Sequence, residues 1–485
     1  MMKLKYLTEK LSILNSTADP ECEIAGIAYD SRAVRTGYAF VAIRGLQSDG
    51  HSFIPDAVKA GAAVIVCEVA PGIDVPFVQV ENSRLALSLI STAWFGYPAG
   101  EMKLIGVTGT SGKTTTTHLI KHILEESAGA KVGLVGTNGN RIGKELIHTE
   151  FTTPESLELQ GLFRRMADEG CSYAVMEVSS HSLAMDRVGG LRFDVAAFTN
   201  LTQDHLDLHK TMEEYAAAKH RLFLMCDTAC INLDDAHASE MMQGVFCPVL
   251  TTSVTDPAAD LFADSISLTA QGVSFLAVYG EERVPVTLAI PGMFSVHNAL
   301  TALSVCMAAG IPLSKAAAAL ATAKGVKGRV EAVPTGKEYT ILIDYSHKPD
   351  ALENVLRTLR PVTKGRLITL FGCGGDRDRQ KRPVMGKVAA EFSDFVIVTS
   401  DNPRTEDPDA IIAEIVEGLR DTETPYHVLT DRIDAIHYAI DNAAPGDVIL
   451  LAGKGHEDYQ IVGHEKHHMD EREIVADYLK EKGSL

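Results

Sequence analysis

No apolar run in this 485-residue chain approaches the ~20 residues of a bilayer-spanning helix. The opening segment, MMKLKYLTEKL, lacks the continuous apolar core of a signal peptide. Together these absences lead us to expect a cytoplasmic protein without membrane association. No C-x-x-C pair occurs among the eight cysteines, which argues against a disulfide framework and a structural zinc site. Basic residues are in deficit, 45 Lys and Arg against 64 Asp and Glu, for a net charge of −19. That balance disfavours a nucleic-acid partner, which usually needs a basic patch. It leaves room for a locally basic cleft that holds an anionic substrate. Low-complexity segments and short-period repeats are missing from the sequence too. What remains is an ordinary globular composition, 46% hydrophobic and 22% charged, at a length suited to about three domains of ~150 residues.

The stretch that organises the chain is GVTGTSGKTTTT, residues 106–117. An apolar run over 102–107 reads as a buried strand. The turn Thr108-Gly109-Thr110-Ser111-Gly112 follows, then Lys113-Thr114-Thr115 and a helical pattern over 116–126. A strand, a loop of small residues and a helix start form the arrangement that cradles a nucleotide triphosphate. Backbone N–H groups face the phosphates, Lys113 adds charge at the β- and γ-phosphates, and the Thr114 hydroxyl is placed to hold Mg²⁺. The strict motif would put its first glycine at position 107, where this chain has Val107. A glycine turn capped by threonines, with the lysine in solvent, is the competing reading.

Residues 1–100 read as a small α/β unit with strands near 23–29, 37–43, 61–67 and 76–80. Asp30-Ser31-Arg32 reads there as a turn with a salt bridge. A second unit over 101–331 alternates strands (104–108, 131–136, 173–178, 195–200, 229–233) with helices, the rhythm of a mostly parallel sheet. Ligands in such sheets sit at the carboxyl ends of strands. Glu177 ends one of them, within reach of Mg²⁺ held by Thr114. Another strand leads into Asp204-His205 and His209, a spacing that suggests metal ligation, with magnesium favoured over zinc because no H-E-x-x-H accompanies it. Lys219, on a helix expected over 211–225, reads from spacing alone as a solvated side chain. A polar break at 334–338 marks a boundary. The third unit, 332–485, repeats the α/β rhythm with strands at 339–344, 366–371, 394–399, 427–429 and 447–452. Its strands end in polar clusters around Asp344, Gly372 to Arg377, Asp401 to Arg404, and Gly453 to Glu457. Clusters of that kind point to a second ligand site.

Thr108-Gly-Thr-Ser-Gly-Lys-Thr-Thr115, Glu177-Val-Ser-Ser-His181, Tyr215-Ala-Ala-Ala-Lys219 and Asp401-Asn-Pro-Arg404, in that order, resemble the Mur ligases, the ATP-dependent amino-acid ligases of peptidoglycan precursor synthesis. The resemblance implies three domains: a small UDP-binding α/β domain (1–100), a central P-loop ATPase-like domain with a mostly parallel sheet (101–331), and a C-terminal Rossmann-like domain (332–485). It implies that ATP is bound by Gly109, Thr110, Ser111, Gly112, Lys113, Thr114, Thr115, Asn298, Arg329 and Asp344. Tyr29 and Ser31 would meet the uridine. Thr152, Thr153, Ser179, Met185 and Arg187 would meet the rest of UDP-MurNAc-L-Ala-D-Glu, although Met185 stands where some members have Gln. Lys219 would be carbamylated, and with Thr114, Glu177 and His205 it would hold Mg²⁺. Lys113, Glu177, His205 and Lys219 are the implied catalytic set.

In this family the third domain reads the added amino acid, and Asp401 to Arg404 resembles the signature of members that add meso-diaminopimelate. Arg377, Asp401, Asn402, Pro403, Arg404, Gly453 and Glu457 would form that site, with the arginine fork of Arg404 on the distal carboxylate. The expected reaction runs through an acyl phosphate, in a monomer. The alternatives are a lysine-adding member of the family, a folylpolyglutamate synthetase-like ligase, and a nucleotide-binding regulator without ligase activity.

Overall fold

The structure is a computed structural model and describes residues 1–45, 48–149 and 151–483. It forms two compact units. One comprises Met1–Asp260 with Thr301–Ala316, the other Leu261–Leu300 with Ala317–Leu485.

The first unit holds a five-stranded sheet, a larger sheet and a two-stranded pair near the N-terminus. Near the N-terminus five strands run in the order Ile13–Ser16, Phe77–Val80, Val64–Cys67, Tyr38–Val41 and Gly26–Ala28. All pairs are parallel except the edge pair involving Ile13–Ser16. The expected strand over 23–29 is split, because Glu23–Ile24 pairs instead with Met2–Lys3. Asp30-Ser31-Arg32 is a tight turn as expected: the Asp30 carboxylate caps a short 3₁₀ helix, Ser31–Ala33, and pairs with the Arg32 guanidinium at 2.6 Å.

The larger sheet has a parallel core in the order Val132–Val135, Tyr173–Glu177, Lys103–Thr108, Phe193–Phe198, Cys226–Asn232 and Val249–Ser253. Its central strands are buried on both faces, as the unbroken apolar runs require. The order places Lys103–Thr108 in the middle. From it the chain crosses to one side, through Val132–Val135 and Tyr173–Glu177, and then to the other. The glycine loop therefore leaves the sheet where strand order reverses, which is the place where such sheets bind ligands. Two short antiparallel strands, Asn140–Ile142 and Glu145–Ile147, extend one edge and were not legible as strands. The helix expected over 211–225 is α-helical only across Met212–His220. Arg221–Met225 tightens into a 3₁₀ turn that buries both Leu222 and Phe223.

In the second unit a six-stranded sheet runs in the order Glu331–Val333, Thr340–Asp344, Val448–Ala452, Leu367–Phe371, Phe395–Val398 and Tyr426–Val428. Only the first pair is antiparallel. The polar stretch 334–338 is the connection within that pair, and the boundary expected at 331/332 falls inside its first strand. Strand alternation sorts the core into two layers. Leu342, Phe371 and Leu450 face a cluster with Leu352, Met385 and Ile415, while Ile341, Ile343 and Ile449 face one with Ile436 and Val475. An antiparallel meander, Leu261–Thr269, Gly272–Tyr279 and Glu282–Leu288, also belongs to this unit and was not foreseen.

Behind the carboxyl ends of these strands lies an ion pair out of contact with water. Arg432 and Glu471 each start a helix, and both are at most 1% exposed. The Arg432 guanidinium meets Glu471 Oε1 at 2.8 Å and also donates to the Ala452 carbonyl at 2.9 Å. Removing one partner leaves a buried charge alone, at a cost of about 3–5 kcal/mol. Arg432→Met should therefore lower the denaturant midpoint of the second unit's unfolding strongly. Arg432→Met combined with Glu471→Met should recover much of the loss. Equal midpoints for the single variant and the parent protein would contradict this account.

Candidate active site

The helix after the glycine loop begins at Lys113, three residues before the expected start, with Gly112 at its N-terminal cap. Lys113, Thr114 and Thr115 therefore occupy the first turn, whose N–H groups have no partner within the helix. Gly109 passes so close to the neighbouring strand end that a Cβ would lie 1.9 Å from Thr199 Oγ1, and its φ of +152° also favours glycine. Asn200 ties the loop down from the same side: its carbonyl accepts from Thr110 N at 2.8 Å and its side-chain oxygen from Ser111 N at 2.9 Å.

Glu177 is 1% exposed at the end of its strand. Its carboxylate accepts from Thr114 Oγ1 at 3.0 Å, Thr137 N at 2.9 Å and Thr137 Oγ1 at 3.2 Å. The donors are all neutral hydroxyl or amide groups. A buried carboxylate beside a loop threonine, facing hydroxyls, is the hard-oxygen chemistry that suits Mg²⁺. Among the described residues no three His, Cys, Asp or Glu side chains converge on their own as a metal-binding group. A magnesium site here would therefore need oxygen donors besides acids, and Thr114 Oγ1 lies beside Glu177.

Lys219 is where sequence reasoning and structure differ most. It is not solvated but 1% exposed, and its Nζ donates to the Gly109 carbonyl at 2.8 Å. Lys113 Nζ donates to the same carbonyl at 2.7 Å. Burial, reinforced by the charge of Lys113, holds the Lys219 amine well below the ordinary lysine range. Tyr215, one helical turn earlier, lies with its ring 4.6 Å from Lys219 Nζ and its hydroxyl 3.1 Å from Thr110 Oγ1. His205 sits beside this group, 3.5 Å from Asp204 Oδ2 and edge-on to His181 at 4.7 Å between ring centres. Tyr215, Thr137, Thr199 and Asn200 are the site residues that sequence reasoning did not single out. For Thr199 and Asn200 the usable signal was their position just past a strand adjoining the glycine loop.

A polar chain runs from Glu177 towards the N-terminal sheet. Thr137 Oγ1 is 3.0 Å from Thr152 Oγ1, and Thr153 Oγ1 donates to the Glu177 carbonyl at 2.8 Å. Ser179 lies 3.3 Å from Thr153 and caps the following short helix. Arg187 donates to the Thr153 carbonyl at 3.0 Å, pairs with Glu155 at 2.7 Å and lies 3.8 Å from the buried Met185 sulfur. Tyr29 closes the series by donating to Glu158 at 2.9 Å; burial, and then the Glu158 charge and this bond, hold its phenol well above the ordinary tyrosine range. Ser31 stands on the adjoining turn.

In the second unit several of the polar strand ends are buried or line a cavity. Asp344 is buried and accepts from Val330 N at 2.8 Å and from Ser346. The Arg329 guanidinium lies 5.4 Å from the Tyr345 ring centre, and Asn298 is buried in the same unit. A cavity of about 660 Å³ is lined by residues that include Arg377, Asp401, Asn402, Arg404, Gly453 and Glu457. Of the seven residues expected to bind the amino acid, only Pro403 is missing from its lining. Asp401 Oδ2 is buried there without a hydrogen-bond partner among the described residues. Arg404 donates to the Gly375 carbonyl at 2.8 Å and Arg377 to the Asp376 carbonyl at 3.0 Å, so both rest on neutral carbonyls.

Models of the Mur ligase middle domain, of the Mur ligase glutamate ligase domain and of the Mur ligase family catalytic domain match residues 107–306, 328–455 and 23–94 respectively. Over 468 residues, 96% of each chain, the protein is 47% identical to the UDP-N-acetylmuramoyl-L-alanyl-D-glutamate–2,6-diaminopimelate ligase of Caldanaerobacter subterraneus subsp. tengcongensis. The chain belongs to the Mur ligase family. It is 45% identical to the ligase of the same name from Clostridium tetani, over 99% of this chain and 100% of that one. A solved structure of a ligase of this name superposes with a TM-score of 0.76 at 32% identity, covering 99% of both chains. Membership makes the protein an ATP-using ligase with the three-domain α/β fold of the Mur ligases.

Burying an amine disfavours its charged form, so Lys219 costs stability at any pH below its ordinary value of 10.5. The sign is fixed because the folded-state value is depressed. The unfolded chain binds the extra proton between the two values, so stability rises with pH across that interval. In CO₂-free buffer, Lys219→Met should raise the thermal midpoint at neutral pH. The gain should be largest below the depressed value and fade towards pH 10.5. A lower midpoint across this range would show that the amine is not held at a cost.

Proposed function

We propose that this protein joins meso-2,6-diaminopimelate to the D-glutamyl γ-carboxylate of UDP-MurNAc-L-Ala-D-Glu, with ATP as the energy source, in cytoplasmic peptidoglycan precursor synthesis. We further propose that it works as a monomer divided at 1–100, 101–331 and 332–485. The observation that carries this reading is the cavity in the second unit. It combines two arginines resting on neutral carbonyls, Arg377 and Arg404, with a buried acid, Asp401, whose Oδ2 has no hydrogen-bond partner among the described residues. Diaminopimelate is lysine with one more carboxylate at its far end, and that group is what a guanidinium fork receives. Lysine would leave the half-buried Arg404 fork without a carboxylate to receive, so it should fit this cavity less well.

In this reading the γ-carboxylate attacks the γ-phosphorus of ATP, and the bond to the ADP oxygen breaks. The acyl phosphate that results is attacked at its carbonyl by the diaminopimelate amine, and phosphate leaves as the amide forms. Lys113 and the first-turn N–H groups hold the phosphates, while Asn298, Arg329 and Asp344 take the nucleoside end. Arg187, Thr152, Thr153 and Ser179 orient the dipeptide, and Tyr29 and Ser31 the uridine. The neutral amine of Lys219 takes up CO₂ and releases a proton, leaving a carbamate with two hard oxygen donors. Thr114, Glu177, His205 and that carbamate would hold Mg²⁺. Bound there, the ion supplies positive charge to the phosphate oxygens.

Phosphate release with UDP-MurNAc-L-Ala-D-Glu, ATP and Mg²⁺ should depend on meso-diaminopimelate, and L-lysine should support little. Equal release with lysine would overturn the specificity argument, and release indifferent to any amino acid would overturn the ligase reading. Arg404→Met should lower kcat/KM for diaminopimelate by about two orders of magnitude, the loss expected for two charge-assisted bonds, while leaving any residual lysine use unchanged. Removing dissolved CO₂ should depress activity reversibly, and bicarbonate should restore it.

A further inference from the structure

Lys454 is 0% exposed, yet no part of the reaction described above uses it. It lies between two glycines in left-handed conformations, Gly453 at φ +113° and Gly455 at φ +55°. Neither can carry a side chain. A Cβ on Gly453 would lie 2.7 Å from Asp401 Oδ2, and one on Gly455 would lie 2.5 Å from Tyr345 Cβ. The two residues force a tight turn after the strand Val448–Ala452, and the turn drives the Lys454 side chain inward. Its ammonium donates to Asn402 Oδ1 at 3.0 Å and to Glu457 Oε2 at 3.1 Å. The Tyr459 ring centre lies 5.6 Å from it.

This contact decides how Asn402 presents itself. Asn402 Oδ1 accepts from Lys454 and also from Ile461 N at 2.9 Å, while Nδ2 donates to Glu457 Oε2 at 2.9 Å. With two donors on one side and a carboxylate on the other, the amide has only one satisfied orientation. The oxygen is used up behind the cavity wall, and the NH₂ group keeps one hydrogen to give. Asn402 therefore offers the cavity a donor, which suits a carboxylate and not an ammonium. The same ammonium also offsets the charge of Glu457, whose Oε1 remains for a cationic group of the substrate. We infer that Lys454 is a positioning residue that sets the polarity of the amino-acid cavity, so that Asn402 reads a carboxylate and Glu457 an ammonium of a zwitterionic substrate. This deepens, and rests on, the assignment of this cavity to the amino acid.

The test is steady-state kinetics on the full chain, with each of the three substrates varied in turn, for the parent protein, Lys454→Met, Glu457→Gln and the double variant. Lys454→Met should raise KM for the amino acid at least tenfold, with KM for ATP and for the UDP-linked dipeptide within about twofold and kcat little changed. The double variant should show an amino-acid KM at least as high as Lys454→Met, because Glu457→Gln also removes the carboxylate that receives the ammonium. An unchanged amino-acid KM in Lys454→Met would overturn the inference. A parallel rise in all three KM values, the mark of general structural damage, would overturn it too. The measurement uses whichever amino acid the parent protein accepts. A preference for lysine would thus refute the diaminopimelate reading while Lys454 is still judged on its own KM.

Discussion

The bond between Thr114 and Glu177 joins the phosphate loop to the end of the neighbouring strand, and the rest of the first unit's site hangs from it. A carboxylate at 1% exposure is tolerable only when its oxygens are satisfied. Here the satisfaction comes from the loop helix on one side and from Thr137 on the other. The Glu177 backbone continues the series, because its carbonyl holds Thr153, which in turn lies against Ser179. Arg187 then links Thr153 to Glu155. The polar contacts thus run along the strand ends from the phosphate loop to Arg187 and Glu155.

The two lysines at the Gly109 carbonyl address a second problem. A chain of net charge −19 must hold a polyanion. Lys113 supplies the charge, but Lys219, buried beside it, cannot carry the same charge cheaply. Desolvation and the neighbouring cation both act against the ammonium form. The same effects raise the share of neutral amine, the form able to react with CO₂. The same burial that would make Lys219 a poor phosphate ligand thus makes it a suitable precursor of an anionic one.

How far the site could be read from the residues follows from this physics. The glycine loop was legible because strand, small residues and helix lie next to each other in the chain. The strand-end clusters were legible because apolar runs that stop at polar residues mark the carboxyl edge of a parallel sheet, and most of one such group lines a single cavity. Lys219 was not. Its helix, Met212–His220, has alanines on three consecutive positions before the lysine, so no apolar stripe told which face was inward. The Tyr29–Glu158 bond spans 129 residues and leaves no local pattern. The meander over 261–288 escaped because its strands are half exposed, with many polar residues on the open face.

The two units reuse one device with opposite sign. In the first, a buried acid at a strand end, Glu177, faces only neutral donors, and it gains from a cation brought close. In the second, Asp401 lies three residues past the strand Phe395–Val398, with one oxygen unpartnered and buried. The difference lies in what surrounds each acid. Glu177 is ringed by hydroxyls, which leave room for a small hard ion with oxygen ligands. Asp401 shares its cavity with Arg377 and Arg404, so the occupant that neutralises all of them must carry both signs, spaced along one chain. A simple metal ion would meet repulsion from the guanidiniums, and a simple dicarboxylate would meet it from Asp401 and Glu457. The mix of acidic and basic side chains in the lining suits an occupant that carries both signs.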